Sequence, residues 1–233
     1  MTARQLVHLS VQDRLRREQK GEPTSLKSAG DRLITLSQAL QLARPIDAAK
    51  AAKQLQGLLP KASGEIQTWA KPFTLLIDDV QAQVEQLAYE NTDVLDSSHL
   101  EKQLQFIEQL HQYGLVMQAA QMAREWVVNW AMWYSHGEGS LSQGEWLDPC
   151  RRGYIESVLS SAFRAGGEAH PPDWLKDPDL IAILRDLWPS LADLRNDFAH
   201  CGMRKQPLSS EDLYNQSKNL LPQLRDLWQK SEP

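Results

Sequence analysis

The spacing of apolar residues constrains this chain more than any other feature. Along most of the sequence they recur every three or four positions, as in Leu104, Ile107, Leu110 and His111, and again in Ala119, Met122, Ala123, Trp126, Val127 and Trp130. That spacing lays one stripe along a helix of 3.6 residues per turn. No run of alternating apolar and polar residues, bounded by turn residues, reads as a strand. The residue types agree: Leu and Ala number 34 and 22, whereas Val and Ile, which favour strands, total only 17. The chain is expected to be all-α.

Helix ends are marked by chemistry. Ser98-x-x-Glu101 and Ser209-x-x-Asp212 fit the pattern that satisfies the first free amides of a helix. Pro45 and Pro60 are read as breaks between short helices over 31–43, 46–59 and 63–91, because proline cannot continue the amide ladder. Gly21-Glu22-Pro23 sets off a charged helix over 3–19. Two polar loops, 135–149 and 166–172, interrupt the second half. The expected plan is an N-terminal helical extension over 1–95, followed by a bundle of four or five helices over 96–233.

Composition excludes several classes. Lys and Arg number 25 against 30 Asp and Glu, so the chain is no broadly basic nucleic-acid coat, although a local basic pocket remains compatible. Two cysteines build neither a disulfide framework nor a four-ligand zinc site. No apolar run reaches the ~20 residues of a membrane span, and the N-terminus lacks a secretory signal. A cytoplasmic protein without a membrane partner is expected. Phosphate-binding loops, dinucleotide fingerprints, His-Glu-x-x-His and Gly-x-Ser-x-Gly are all missing. The six histidines show no metal-ligand spacing, so neither metal nor cofactor is expected. His99 and His111 are read as solvated or capping, and His136 and His170 as exposed in loops.

Residues 194–204 stand apart. Arg195 precedes His200 by five positions, which is about 140° apart on an ideal helix, so the two do not share one stripe. They converge only if the helix ends between them or if a second copy of the chain completes the site. Leu194, Phe198 and Ala199 would anchor the segment in the core. Arginine and histidine without metal ligands suit cleavage of a phosphodiester by its own 2′-hydroxyl. A guanidinium grips phosphate oxygens and stabilises growing charge, while an imidazole moves a proton at neutral pH. The structural alternative is open on spacing alone: Arg195 paired with Asp193 or Asp197, and His200 capping a helix end near Gly202.

Arg195-Asn196-Asp197-Phe198-Ala199-His200 resembles the Arg-Asn-x-x-x-His motif of the HEPN superfamily of ribonucleases. Its flanks, Leu187-Trp188-Pro189-Ser190-Leu191-Ala192-Asp193-Leu194 and Cys201-Gly202-Met203-Arg204-Lys205, resemble the C-terminal domain of CRISPR-associated CARF–HEPN proteins of the Csx type. Leu115 through Val128, with Ala123-Arg124-Glu125-Trp126, is similar to a second signature helix of that domain. Asp31 to Ala88 is similar to the helical region between sensor and nuclease in the same group. The likeness spans most of 31–233.

The resemblance implies a HEPN-type bundle and a metal-independent endoribonuclease acting on single-stranded RNA, with its site assembled in a homodimer. Arg195 would bind the scissile phosphate, His200 would act as base or acid, and Asn196 would orient the pair or the phosphate. Arg204, Lys205 and Arg124 are the implied substrate contacts, Arg124 having an ion pair beside Trp126 as its alternative. A 2′,3′-cyclic phosphate product and a role in antiviral defence follow. The group's Rossmann-like CARF sensor has no counterpart here, since residues 11–20 read as a charged helix. The sensor is therefore lost, carried by a separate chain, or foreign to a free-standing nuclease. A scaffold protein that uses the same fold without catalysis, partnering a sensor or antitoxin chain, is the alternative. Trp126, Trp130 and Trp133 are read as core or dimer interface and Cys201 as a small buried side chain. Arg151, Arg152 and Arg185 are further candidates for phosphate contact.

Overall fold

The computed structural model describes residues 22–89, 91–137, 139–164, 168–203 and 205–231. The helix expected over 3–19 lies outside them. Among the described residues there are nine α-helices, one 3-10 helix and two strands of two residues each, so the fold is all-α. The chain divides into two compact units, Met1–Thr92 and Asp93–Pro233.

The first unit is built on an antiparallel pair, α1 (Thr24–Gln41) and α2 (Pro45–Trp69), followed by a 3-10 turn (Lys71–Leu75) and α3 (Ile77–Leu87). Alanines make the pair close: Ala48, Ala49, Ala51, Ala52 and Ala62 of α2 are buried against α1, and small side chains let two backbones approach. Ala43 closes α1 in the left-handed region (φ 51°), with the Arg44 amide returning to the Ala39 carbonyl at 2.8 Å. Pro45 then opens α2 at the first position, where a missing amide costs nothing. Pro60 does not break the chain as expected but lies inside α2. It points to solvent, and Leu55, Leu59, Ala62 and Ile66 carry one buried face past it. That continuous packing outweighs the ~3 kcal/mol a proline costs within a helix. Glu65 of α2 accepts the amides of Ser25 and Leu26 and so satisfies the start of α1.

The second unit is a bundle: α4 (Ser97–Gln112), α5 (Val116–Ser135), the single turn α6 (Gln143–Trp146), α7 (Pro149–Ala162), α8 (Pro178–Ala199) and α9 (Ser210–Ser231). A two-residue ladder pairs Val94–Leu95 with Leu141–Ser142. Helix α5 is the axis, packing against α4, α7, α8 and α9. Its Trp126, Trp130 and Trp133 are core. Two of their indole N–H groups donate to buried acceptors, Trp126 to the Leu100 carbonyl (2.9 Å) and Trp130 to the Ser231 hydroxyl (3.0 Å). Trp228 of α9 meets the rings of Trp126 and Trp133. No described helix is long and apolar enough to cross a membrane.

The caps are partly displaced from expectation. Asp96, not Ser98, caps α4 by accepting the His99 amide (2.8 Å), whereas Ser209 accepts the Asp212 amide (3.0 Å) at the start of α9. His99 and His111 are 2% and 7% exposed, core rather than solvated. His99 donates through Nδ1 to the Val94 carbonyl and stands edge-on to Trp146. Burial lowers the pKa of both imidazoles, and the charge of Lys218 lowers that of His111 further.

Candidate active site at the end of helix α8

Helix α8 starts on Asp177, whose carboxylate accepts the Asp179 and Leu180 amides. It buries one stripe: Leu180, Leu184, Leu187, Trp188, Leu191 and Leu194. The stripe's next position is Asp197, 1% exposed, which accepts the Leu208 amide at 3.1 Å. The carboxylate thus ties the segment after α8 back to the helix. Because Asp197 takes the inward place, Arg195 and Asn196 turn outward, and both are exposed.

The helix stops at His200, its C-cap. The Cys201 amide returns to the Phe198 carbonyl (3.1 Å) and the Gly202 amide to the Asp197 carbonyl (3.4 Å). Cys201 (φ 50°) and Gly202 (φ 72°) are both left-handed, which reverses the chain and closes the carbonyls of the last turn. Cys201 is exposed, contrary to the expectation of a small buried side chain, because the residue that makes this reversal sits outside the helix. Phe198 is half-buried and Ala199 exposed, so Leu194 and Asp197 are the buried anchors of the turn.

Arg195, Asn196 and His200 therefore stand within six residues on one fixed turn. Among the described residues none of the three side chains makes a hydrogen bond or ion pair. The pairing of Arg195 with Asp193 or Asp197 is thus not made. Lys205 is exposed and unpaired as well, and Arg204 lies outside the described residues. The turn presents a guanidinium, an amide and an imidazole with their polar atoms uncommitted.

Arg124 is elsewhere and engaged. Its guanidinium pairs with Glu156 at 2.9 Å and lies 4.8 Å over the Trp188 ring, with the side chain 13% exposed. Arg152 is engaged too: it bonds Asn129, the Trp146 carbonyl and Glu125, while Asn129 donates to the buried Gln103 at 2.8 Å. Arg152 is thereby withdrawn from phosphate contact, whereas Arg185 is exposed. Arg151 makes one long contact, 3.4 Å, to Glu145. Sequence reasoning missed two things here, the inward carboxylate of Asp197 and the Arg152–Asn129–Gln103 chain. Asp197 was readable, since it continues the three-residue spacing of Leu191 and Leu194. The chain through Arg152 was not, because Asn129 lies 23 residues from Arg152 and Gln103 a further 26 from Asn129.

No protein-family model matches the chain, and no curated protein matches it.

Proposed function

We propose that this protein is a metal-independent endoribonuclease of HEPN type that cleaves single-stranded RNA as a cytoplasmic homodimer in CRISPR-linked or related antiviral defence. One observation carries the reading: Arg195, Asn196 and His200 are exposed, and among the described residues unpaired, on a turn whose backbone is fixed by Asp197 and by the left-handed pair Cys201–Gly202. Groups kept for stability are normally bonded within the chain, as Arg124 and Arg152 are; groups kept for a ligand are held still and left open.

In the reaction, the imidazole of one His200 takes the proton of the 2′-hydroxyl, and that oxygen attacks the adjacent phosphorus. The bond from phosphorus to the 5′ oxygen breaks, and the leaving oxygen receives a proton from the protonated His200 of a second copy. The products are a 2′,3′-cyclic phosphate and a 5′-hydroxyl. Arg195 holds two non-bridging oxygens through its planar fork and offsets the charge that grows on them. Asn196 orients the phosphate, and Lys205, with Arg204, contacts the flanking backbone. Two copies of the turn answer the 140° that separates Arg195 from His200 on one helix. A separate CARF-type sensor chain would bring regulation.

The test is incubation of the purified chain with labelled single-stranded RNA, with and without EDTA. Cleavage is expected to survive the chelator, to fail on DNA, and to fail where a 2′-methoxy group replaces the hydroxyl at the cut. Cleavage that requires Mg²⁺, or that cuts DNA, overturns the proposal.

A further inference from the structure

A second cluster of uncommitted charge lies in the first unit. Between α1 and α2 runs a cleft of about 310 Å³. Its walls are two helix faces: Arg32, Thr35 and Gln38 from α1 with Leu42 at its C-cap, and Asp47, Lys50 and Gln54 from α2. Each set follows three- and four-residue spacing, which keeps it on one side of its helix. Buried Ala39 and Ala51 form the floor, and the cleft exists because these side chains are too short to fill it. Arg44, at the joint of the two helices, closes one end.

The charge is one-sided. Arg32, Arg44 and Lys50 face a single carboxylate, Asp47, and none of the four is in an ion pair among the described residues. Three open cations on a chain of net charge -5 run against its overall sign. Ten residues of helix separate Arg32 from Leu42, so the groove is about 15 Å long at 1.5 Å per residue. That is a track for several phosphates, not a socket for one. The amides of Gln38 and Gln54 add donors along it, whereas the Thr35 hydroxyl is spent on the Asp31 carbonyl at 3.0 Å. Another cavity among the described residues, about 450 Å³ beside His136 and Tyr154, is walled mainly by apolar atoms and carries one cation, Arg151, instead of three.

We infer that the α1–α2 groove binds the phosphate backbone of a single-stranded RNA, with Arg32, Arg44 and Lys50 on successive phosphates. The inference rests on the ribonuclease reading for the identity of the strand and adds a grip on it by residues of the first unit. Contacts of this kind track the backbone without reading sequence.

The experiment uses the full chain and a 2′-methoxy single strand, which a 2′-hydroxyl nuclease cannot cut, with affinity followed against salt. Arg32→Gln/Arg44→Gln/Lys50→Gln removes three cations; Lys27→Gln/Lys61→Gln/Lys71→Gln removes three exposed ones outside the groove. Lost phosphate contacts lower the slope of log affinity on log salt by about 0.7 each, so a drop of about 2 is expected for the groove variant. The control triple should keep the slope of the natural protein. If the groove triple fails to show natural helicity by circular dichroism, Lys50→Glu alone is expected to weaken binding at least about fivefold at low salt. An unchanged slope, an equal fall in the control, absence of binding by the natural protein, or equal affinity for polyglutamate each overturns the groove. Strand binding through the groove by a protein that leaves ordinary RNA intact would instead sink the ribonuclease reading and keep the groove. Cleavage with unchanged KM in the groove triple would do the reverse.

Discussion

Arg152 and Arg195 make the instructive comparison in the second unit. Both were open to a role in holding RNA when read from sequence. Arg152 reaches inward to Asn129, which is 3% exposed, and to the Trp146 carbonyl, and on its outer side it pairs with the exposed Glu125. Arg195 reaches outward from a turn that is equally well fixed, yet among the described residues its side chain has no partner. Buried polar groups left unbonded are costly, so the first region spends its donors on the fold. In the second region Asp197 does the bonding, and its neighbours stay free. The role of an arginine follows from whether its donors are taken up within the fold, not from its position beside a motif.

The largest expected effect breaks the outward region. His200→Ala should lower cleavage by about 10²–10⁴-fold, the usual worth of general acid–base catalysis, with an unchanged melting temperature. Arg195→Lys should recover little, because an ammonium lacks the planar fork. A cleavage assay beside a thermal melt checks both.

Next comes the brace. Asp197→Ala leaves the Leu208 amide unbonded and should cost about 1–3 kcal/mol, read from urea melts. It should also lower cleavage, because the segment after His200 loses its tie. If stability stays unchanged, the brace has been misread.

Acid sharpens the comparison through the buried histidines. His99 and His111 are held below the ordinary value by burial, His111 also by Lys218. The unfolded chain therefore takes up protons near pH 6.5 that the folded chain refuses. Stability is retained above that pH and falls as the solution is acidified towards the folded values, by at most about 1.4 kcal/mol per pH unit for each group. Urea midpoints at pH 7.5 and 5.5 should show the fall, and His99→Gln should make it shallower. An equal fall in the variant counts against His99.

The smallest effect is a gain. Cys201 holds a left-handed conformation that suits glycine, so Cys201→Gly should raise stability by about 0.5–1 kcal/mol, a shift of about 2 °C in Tm. A lower Tm would mean that the thiol makes a contact the turn needs.

Much of the fold was legible because helix signals are local. The stripe through Trp126, Trp130 and Trp133 lies on the buried face of α5, and Ser209 caps α9 as its spacing implies. Pro60 misled because a proline on a solvent face is tolerated when the buried face continues past it, and sequence alone does not reveal the partner helix. His111 was readable as core, since it shares the spacing of Leu104, Ile107 and Leu110, but its polarity pointed the other way. At the candidate site the residue types Arg195, Asn196 and His200 could be singled out. Their exposure could not, nor could the different fates of Arg151 and Arg152, because side-chain partners are set by tertiary packing.

Cleavage rate and melting temperature of Arg195→Ala beside Arg152→Ala separate an arginine left open for RNA from one spent on the fold. Arg195→Ala should lose cleavage by two orders of magnitude or more, about 2.7 kcal/mol of transition-state stabilisation, while its Tm stays within about 1 °C. Arg152→Ala should lose about 2–3 kcal/mol of stability, lowering Tm by about 4–10 °C, because the Asn129 carbonyl is left buried without its donor. Below its melting range Arg152→Ala should still cut RNA. A protein in which Arg195→Ala melts early and cleaves normally, while Arg152→Ala melts late and is inactive, would contradict the account.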